Sequence, residues 1–244
     1  MKTVLVTGAS SGIGKAIAHT LAKEGHNVVL AARSEDELAT QQADLEAQGY
    51  NALAVKTDVT DRQSFKDCVA KTNEKFGTVD VLVNNAGIMP LSFMKNLHED
   101  EWEKTVDVNI KGVLNGIGAV LPGMLDQKGG HIINMSSVAG IKVMQSGAVY
   151  CGTKYAVEAI TEGIRLELGD SHGIRTTVIR PGAVETNLMG TITDDEVKEK
   201  MGERFKDINF LEPQNIADAV AFAISQPSAV SVSEVLVRPT NQPM

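Results

Sequence analysis

Short apolar runs rich in β-branched residues alternate with longer helical patterns from one end of this 244-residue chain to the other. Val4–Val6, Val28–Leu30, Ala52–Val55, Val79–Val83, His131–Asn134, Thr176–Ile179 and Glu234–Val237 read as strands. Helical patterns run over 13–25, 35–48, 61–76, 99–127, 146–169 and 213–225. Most of the strand runs are continuously apolar rather than alternating, as expected of strands covered on both faces. Regular strand-helix alternation predicts an α/β architecture: a doubly wound, mostly parallel seven-stranded sheet with helices on both faces. No Pro/Ser-rich linker or change in composition divides the chain, so one domain is expected over 1–244. The segment 187–212 breaks the alternation. It is charged, carries Met189, Met201 and Phe205, and precedes Pro213. A long insertion after a strand is a candidate substrate lid.

Composition narrows the partners. Lys and Arg total 23 against 31 Asp and Glu, giving a formal net charge of −8. With no Lys/Arg-rich run, that balance excludes a phosphate-backbone ligand such as nucleic acid. One anionic cofactor can still be held locally, by a helix N-terminus and a single Arg. The apolar run at Val4–Val6 is stopped by Gly8, too soon for a signal-peptide core. No stretch is read as a membrane span. Cys68 and Cys151 have no CxxC partner and no His at ligand spacing, so both are expected to be buried thiols, with no metal site. A cytoplasmic protein is expected.

The first strand leads into Thr7-Gly8-Ala9-Ser10-Ser11-Gly12-Ile13-Gly14 and then a helix. A helix N-terminus offers unpaired N–H groups and a partial positive charge, and glycines let a pyrophosphate approach the backbone. The second strand ends at Ala32-Arg33-Ser34. A dinucleotide site for NAD usually has an acid here, to accept hydrogen bonds from the ribose hydroxyls. Ala32 cannot accept them, whereas the planar fork of Arg33 suits a 2′-phosphate, so NADP(H) is the expected cofactor. Ser34 with Glu37 fits a capping box that opens the next helix. Asn84-Asn85-Ala86-Gly87 forms a polar turn at the carboxyl end of a strand, where ligands bind in open α/β sheets.

The strongest chemical signal is Tyr150-Cys151-Gly152-Thr153-Lys154 within a helical pattern. Spacing i to i+4 brings the phenol and the ammonium to one face. A nearby cation favours phenolate, so Lys154 is expected to lower the Tyr150 pKa and make it a general acid and base. Ser137, at the end of the preceding strand, can hydrogen-bond a substrate oxygen beside that phenol.

In this order the motifs resemble the short-chain dehydrogenase/reductase family, in its single-domain branch. The resemblance spans essentially the whole chain: Thr7 to Gly14 as TGxxxGIG, Asp58-Val59, Asn84 to Gly87 as NNAG, Asn109, Ser137, Tyr150, Lys154, and Pro181-Gly182 leading to Thr186. It implies a Rossmann-type fold and hydride transfer between NADP(H) and a small carbonyl, secondary alcohol or hydroxy-acid substrate. It implies that Tyr150 is the proton donor in reduction and the base in oxidation. Lys154 would tune Tyr150 and hold the nicotinamide ribose, Ser137 would polarise the carbonyl, and Asn109 would anchor a water-linked relay to Lys154. Gly8, Ser10, Ser11, Gly12, Ile13 and Gly14 would meet the pyrophosphate, and Asp58 and Val59 the adenine. Asn85, Ala86 and Gly87 would line the cofactor, with Ile179, Pro181, Gly182 and Thr186 around the nicotinamide. Many NADP-preferring members carry a basic residue where this chain has Ser11, which leaves Arg33 carrying the cofactor choice and dual use open. The ending Val235 to Gln242 is similar to clavulanic acid, hydroxy-acid and serine dehydrogenases. A dimer or tetramer through helices 99–127 and 146–169 is implied as well.

Two other functions fit the same fold. A non-catalytic NADP(H)-binding regulator is expected to have lost one of Asn109, Ser137, Tyr150 and Lys154, yet all four are present. A dehalogenase-type relative working without nicotinamide has no use for the glycine loop and Arg33. Met89, Val138, Val143, Met144 and Met189 are candidate substrate-pocket residues, apolar and adjacent to the motifs.

Overall fold

The computed structural model describes residues 1–242, apart from the side chain of Arg204. Seven strands form one sheet: β1 (Thr3–Thr7), β2 (Asn27–Ala32), β3 (Ala52–Lys56), β4 (Val81–Asn84), β5 (Gly130–Met135), β6 (Ile174–Pro181) and β7 (Glu234–Val237). Every neighbouring pair is parallel, in the order β3-β2-β1-β4-β5-β6-β7. Strand order therefore reverses between β1 and β4. Chains leaving those two strands turn to opposite sides and open a crevice at the carboxyl edge, the usual ligand position in open α/β sheets.

Side chains of a strand alternate between its faces, and here both faces are covered. Val4, Val6, Val28 and Leu30 pack with Ile17 and Leu21 of α1 (Gly12–Lys23), Leu38 and Leu45 of α2 (Glu35–Ala47), and the helix that follows residue 212. Leu5, Val29, Leu82 and Ile132 point the other way. They meet Phe65 of α3 (Arg62–Phe76), Val113, Ile117, Val120 and Met124 of the helix over 112–126, and Val157 of the helix over 148–172. Burial on both faces is why these strands read as unbroken apolar runs.

The pattern over 99–127 forms one continuous helical stretch with a defect. After α4 (Glu99–Val106), one wide turn of π-helix spans Asp107–Lys111 before α5 (Gly112–Asp126) resumes. Such bulges are inserted turns that re-aim side chains, and this one carries Asn109. By length and composition alone, as the core helices of many proteins also would, Glu99–Asp126 would suffice to cross a membrane, with an 18-residue window of mean hydropathy 1.3. Val113, Gly116, Ile117, Val120 and Met124 nevertheless bury one side of α5 in the protein core.

The longest helix, α6 (Ala148–His172), carries the Tyr-Lys pair. The lid segment contains a 3-10 turn at Asn187–Thr191 and α7 (Asp195–Phe205), then leads to α8 (Pro213–Ser225). The capping box expected at Ser34 does not form. Ser34 starts α2 without any side-chain cap bond, and its residue lines the central pocket instead. Glu35, Asp36 and Glu37 in the first turn complement the helix dipole in its place. A capping box does occur at α8, between Glu212 and Asn215.

Candidate active site

The glycine loop owes its shape to backbone geometry that only glycine adopts freely. Gly8 and Gly12 have φ of +65° and +51°. A Cβ on Gly8 would come within 3.0 Å of the Ala86 backbone, and one on Gly14 would overlap the carbonyl oxygen of Gly8. Gly14 itself does not line the pocket, so its absent side chain serves the packing of α1 against the loop. Gly8, Ser10, Ser11, Gly12 and Ile13 do line it, at the N-terminus of α1. The first turn of a helix leaves N–H groups without intrahelical partners, which suits an anionic group.

Three polar side chains hold this loop, and of these only Gln41 was not singled out in the sequence. Thr7 Oγ1 accepts the N–H groups of Asn85 and Ala86, each at 3.0 Å, tying the end of β1 to the turn after β4. Asn85 Nδ2 donates to the Thr7 carbonyl at 2.9 Å. Gln41 Nε2 donates from α2 to the Ser10 carbonyl at 3.0 Å. Thr186, beyond β6, lies against Gly12 from the opposite wall, 3.2 Å from where a Cβ would stand.

Arg33, Asp58 and Val59 line the same cavity at the ends of β2 and β3. Arg33 is exposed. Burial tends to raise the Asp58 carboxyl, but hydrogen bonds from Thr60 and the charge of Arg33 outweigh it and hold its pKa below the usual value. Here a phosphate has one guanidinium to meet, and the Ala32 beside it brings no carboxylate to oppose one.

Ser137, Tyr150 and Lys154 line the middle of the cavity, which measures about 960 Å³. Ser137 is fixed at the end of β5 by an Oγ bond from the Ala139 N–H at 3.1 Å, where a short 3-10 turn begins. Tyr150 and Lys154 project from the first turns of α6, 5 % and 6 % exposed. The Lys154 ammonium donates to the Met135 carbonyl at 2.9 Å and stands 5.7 Å from the Tyr150 ring centre. Burial pushes the Tyr150 phenol up to about 12, against a hydrogen bond with Ser137 that lowers it. Burial also brings Lys154 down to about 8, with Glu158 opposing. Lowering of the phenol by Lys154 was expected; in this structure burial of both groups is the larger influence. The phenol therefore holds its proton at neutral pH and is an acid in that state.

Asn109 lies behind the pocket wall rather than in it. Its Oδ1 accepts the Ile88 N–H at 2.9 Å, while Nδ2 donates to the Ile88 carbonyl at 2.9 Å and to Thr153 Oγ1 at 3.2 Å. The π-turn thus presents an amide to the backbone of Ile88, in the loop after β4. A Cβ on Gly87 would stand 3.4 Å from Asn109 Oδ1 and 3.7 Å from Lys154 Nζ, so Gly87 separates the two at close range. Pro181, Gly182 and Thr186 line the far wall after β6, while Ile179 stays in the core.

The sequence model of the short chain dehydrogenase family matches residues 2–197. The chain belongs to that family. It is an oxidoreductase of this kind, with a seven-stranded parallel Rossmann-type sheet. An uncharacterized oxidoreductase of Staphylococcus saprophyticus is 47 % identical over 245 residues, covering 99 % of this chain and 97 % of the relative. Among solved structures, an alcohol dehydrogenase from the archaeon Thermococcus sibiricus complexed with 5-hydroxy-NADP is 33 % identical. It superposes with a TM-score of 0.88 over 100 % of this chain and 99 % of its own. The closed form of a serine dehydrogenase complexed with NADP+ is 29 % identical, with a TM-score of 0.88 over 96 % and 94 % of the two chains.

In this family member the segment 187–212 lies against the Tyr-Lys face. Ile192, Val197 and Met201 form a buried apolar cluster with Met89, Leu91, Tyr150 and Cys151, and Leu188, Met189 and Phe205 pack on it. Asp194 fastens the segment. It is 6 % exposed, caps α7 through the Val197 N–H at 3.2 Å, and accepts from Asn96 Nδ2 at 2.7 Å. Of the expected pocket residues, Met89, Val138, Val143, Met144 and Met189 all line the cavity. Among the lining residues that were not expected are Arg238 and Gln242, from the segment after β7. Gln242 Oε1 accepts the Ala183 N–H at 2.9 Å.

Proposed function

We propose that this oxidoreductase transfers hydride between NADP(H) and a small carbonyl, secondary alcohol or hydroxy acid. One domain carries both the cofactor cradle and the catalytic groups. The observation that carries this reading is the convergence of Ser137, Tyr150 and Lys154 with the glycine loop and Arg33 on one continuous cavity. The crystallised relatives bound to NADP derivatives support the cofactor. Gly8 and Gly12 open the cradle for a pyrophosphate at the α1 N-terminus, and Arg33 would hold the 2′-phosphate. Bound there, the nicotinamide supplies or accepts the hydride.

The chain's own groups do the rest. Ser137 holds the substrate oxygen and Tyr150 Oη gives it a proton in reduction, or removes one in oxidation. Lys154 stabilises the charge that Tyr150 acquires on losing its proton and would hold the cofactor ribose. Asn109, through Ile88 and Thr153, holds the loop after Gly87 and the start of α6 in place beside them. The segment 187–212 acts as a lid that excludes water from the reacting atoms. Incubation with NADPH and a panel of ketones, aldehydes and oxo acids, followed at the nicotinamide absorbance, tests the reading. No oxidation of NADPH with any of them would overturn it.

The pH dependence has a definite sign. A phenol at about 12 is protonated throughout the neutral range, so reduction is supported there without a change of state. Oxidation needs the deprotonated phenol and should climb with rising pH. Reduction should decline as Lys154 loses its charge through about 8. Profiles of kcat/KM in both directions should therefore diverge between about pH 6 and about pH 10, and parallel profiles would contradict Tyr150 as the proton carrier.

Asp194→Ala removes both the cap and the Asn96 bond. A lost N-cap costs about 0.5–2 kcal/mol, so α7 should open more often. Limited proteolysis is then expected to cut within 187–212 sooner than in wild type, with KM raised more than kcat is lowered. The same cleavage rate in both would contradict an anchored lid.

Assembly is proposed as a homodimer or homotetramer. Less than half of the apolar window in Glu99–Asp126 is buried within this chain, and Leu114 on α5 with Tyr155 and Leu166 on α6 are exposed. No Cβ contact within 4 Å exists at Gly118, Gly152 or Gly163, so these faces are open to close helix approach. Light scattering that reads a monomer at micromolar concentration would exclude it. Cys68 and Cys151, both buried and free, suit a reducing compartment such as the cytoplasm.

A further inference from the structure

The charged residues around the cavity are sorted by sign. Where α4, the π-turn and the ends of β2 and β3 line it, cations and acids are mixed: Arg33 and Lys104 stand among Asp58, Asp100, Glu103 and Asp107. The other wall is built from residue 135 onward, by the end of β5, the start of α6, the end of β6, the lid and the segment after β7. Among the described residues, no Asp or Glu lines that wall. Its charged side chains are Lys142, Lys154 and Arg238. In a chain with 31 acidic residues and a net charge of −8, a catalytic wall free of carboxylates runs against the composition. It gives the half of the pocket around Tyr150 a positive potential within a negative molecule, which draws anions inward.

Within that wall, Lys154 is committed to the Met135 carbonyl beside Tyr150. Arg238 is not committed. It follows β7 directly, at the carboxyl edge of the sheet, where Val237 pairs with Pro181. Its Cα and Cβ would stand 3.0 and 2.6 Å from a Cβ on Gly182, so its base rests on the turn after β6. The guanidinium makes no hydrogen bond or ion pair among the described residues. Gln242, on the same segment, secures it to Ala183. Five N–H donors in a planar fork match the two oxygens of a carboxylate. The same wall carries the apolar side chains of Met144, Leu188, Met189, Met201, Phe205 and Phe210, which would take the carbon skeleton.

We propose that Arg238 binds a carboxylate of the substrate, so that this enzyme acts on small oxo acids and the matching hydroxy acids in preference to neutral ketones and alcohols. The inference rests on the hydride-transfer reading above. In reduction the carbonyl carbon gains the hydride, its π pair moves to oxygen, and that oxygen takes the Tyr150 proton. NADPH is oxidised to NADP+, the oxo group is reduced to a hydroxyl, and the carboxylate is unchanged. Arg238 is a specificity residue that orients the acid and takes no part in the bond changes.

The test uses matched pairs that differ in charge alone: pyruvate, acetoacetate and levulinate, each beside its methyl ester, with acetone and butanone as neutral ketones. Wild type is expected to prefer at least one acid over its ester in kcat/KM. Arg238→Ala should lower that acid-to-ester ratio about tenfold or more, the usual scale of a hydrogen bond to a charged group. Arg238→Lys should keep part of the ratio and Arg238→Glu should reverse it. The dissociation constant of NADPH, measured by fluorescence, and the melting temperature control for damage to the cradle or fold. Preference for the ester in all three pairs, or equal loss of acid and ester in Arg238→Ala, overturns the inference. Turnover of esters and neutral ketones without any acid overturns it while leaving hydride transfer intact. No turnover of any compound overturns both.

Discussion

Tyr150→Phe is expected to lose at least about 10²- to 10⁴-fold in kcat, the usual contribution of general acid catalysis, while NADPH still binds. The substitution deletes one oxygen and keeps the ring. Tyr150 packs with Met89, Leu91, Cys151 and Ile192, and a phenylalanine preserves those contacts. No cavity opens, and the phenol leaves the apolar surroundings that push its pKa to about 12. A stability change within about 1.5 kcal/mol is expected, the net worth of one hydrogen bond. The loss is therefore one of chemistry rather than folding, read by comparing kcat with the melting temperature and with the dissociation constant of NADPH. Retention of more than about a tenth of wild-type kcat would mean that another group carries the proton, since even a modest general acid contributes more. Lys154→Met should differ in kind. One ammonium is assigned two roles, so both kcat and NADPH affinity should fall. The protein itself need not weaken, because burying a charged ammonium is costly and a methionine of similar length is not.

The parts legible in the sequence were those with a local period or a local motif. The unbroken apolar strands announced a sheet covered on both faces, and the glycine spacing announced the turn between β1 and α1. Boundaries shifted where tertiary contacts extend an element: β6 runs over Ile174–Pro181 because β5 pairs with Ile174 and Arg175 and β7 with Arg180 and Pro181, and α6 continues to His172. The defect at Asp107–Lys111 left no trace, since a π-turn inserts one residue without altering apolar composition. Ser34 and Glu37 match a capping box in spacing, yet three acids already satisfy that helix end and no cap bond forms.

The site shows the same division. Tyr150 and Lys154 share a helix, so their common face follows from i and i+4 alone. Thr7, Gln41, Asn134 and Gln242 act across 27 to 79 residues of sequence, through single side-chain bonds that no period encodes. Asn134 is typical. It accepts from Asn84 at 2.8 Å and donates to Thr161 at 2.8 Å, joining β4, β5 and α6, although it looked like the polar end of an apolar strand. The seating of α7 on Tyr150 was equally hidden, because Met201 and Phe205 advertise an apolar face without naming its partner. Burial of Tyr150, which raises its phenol, was not legible in the spacing for a related reason. Spacing reveals which charges are close, and burial decides how strongly each charged form is penalised.

The second large effect concerns the cofactor. Arg33→Ala is expected to weaken NADPH by about ten- to a hundredfold, because a charge-assisted hydrogen bond is worth about 1.5–3 kcal/mol and 1.4 kcal/mol is a factor of ten. NADH has no 2′-phosphate and should bind nearly as before. The surroundings make Arg33 decisive. Ala32 ends β2 and is 8 % exposed at the pocket wall, with no group to accept from ribose hydroxyls. Ser11 offers no second cation. The protein's net charge of −8 repels a phosphate, and Asp58 stands close enough to Arg33 for its pKa to feel that charge. Without the guanidinium, the phosphate would stand in a wall that carries Asp58. Ala32→Asp should go further than Arg33→Ala. It adds a like charge against the phosphate and offers an acceptor pair to the free ribose hydroxyls, so it should reverse the preference rather than merely remove it. Ala32 lies at the strand end, opposite Lys56 of β3, where an added carboxylate has both solvent and a cation within reach. The measurement is kcat/KM for NADPH and NADH in wild type and in both variants. A wild type that prefers NADH, or an Arg33→Ala variant that weakens both cofactors alike, would reduce Arg33 to a solvated loop charge. Membership of the dehydrogenase family would stand in either case, and only the choice of NADP(H) would fall.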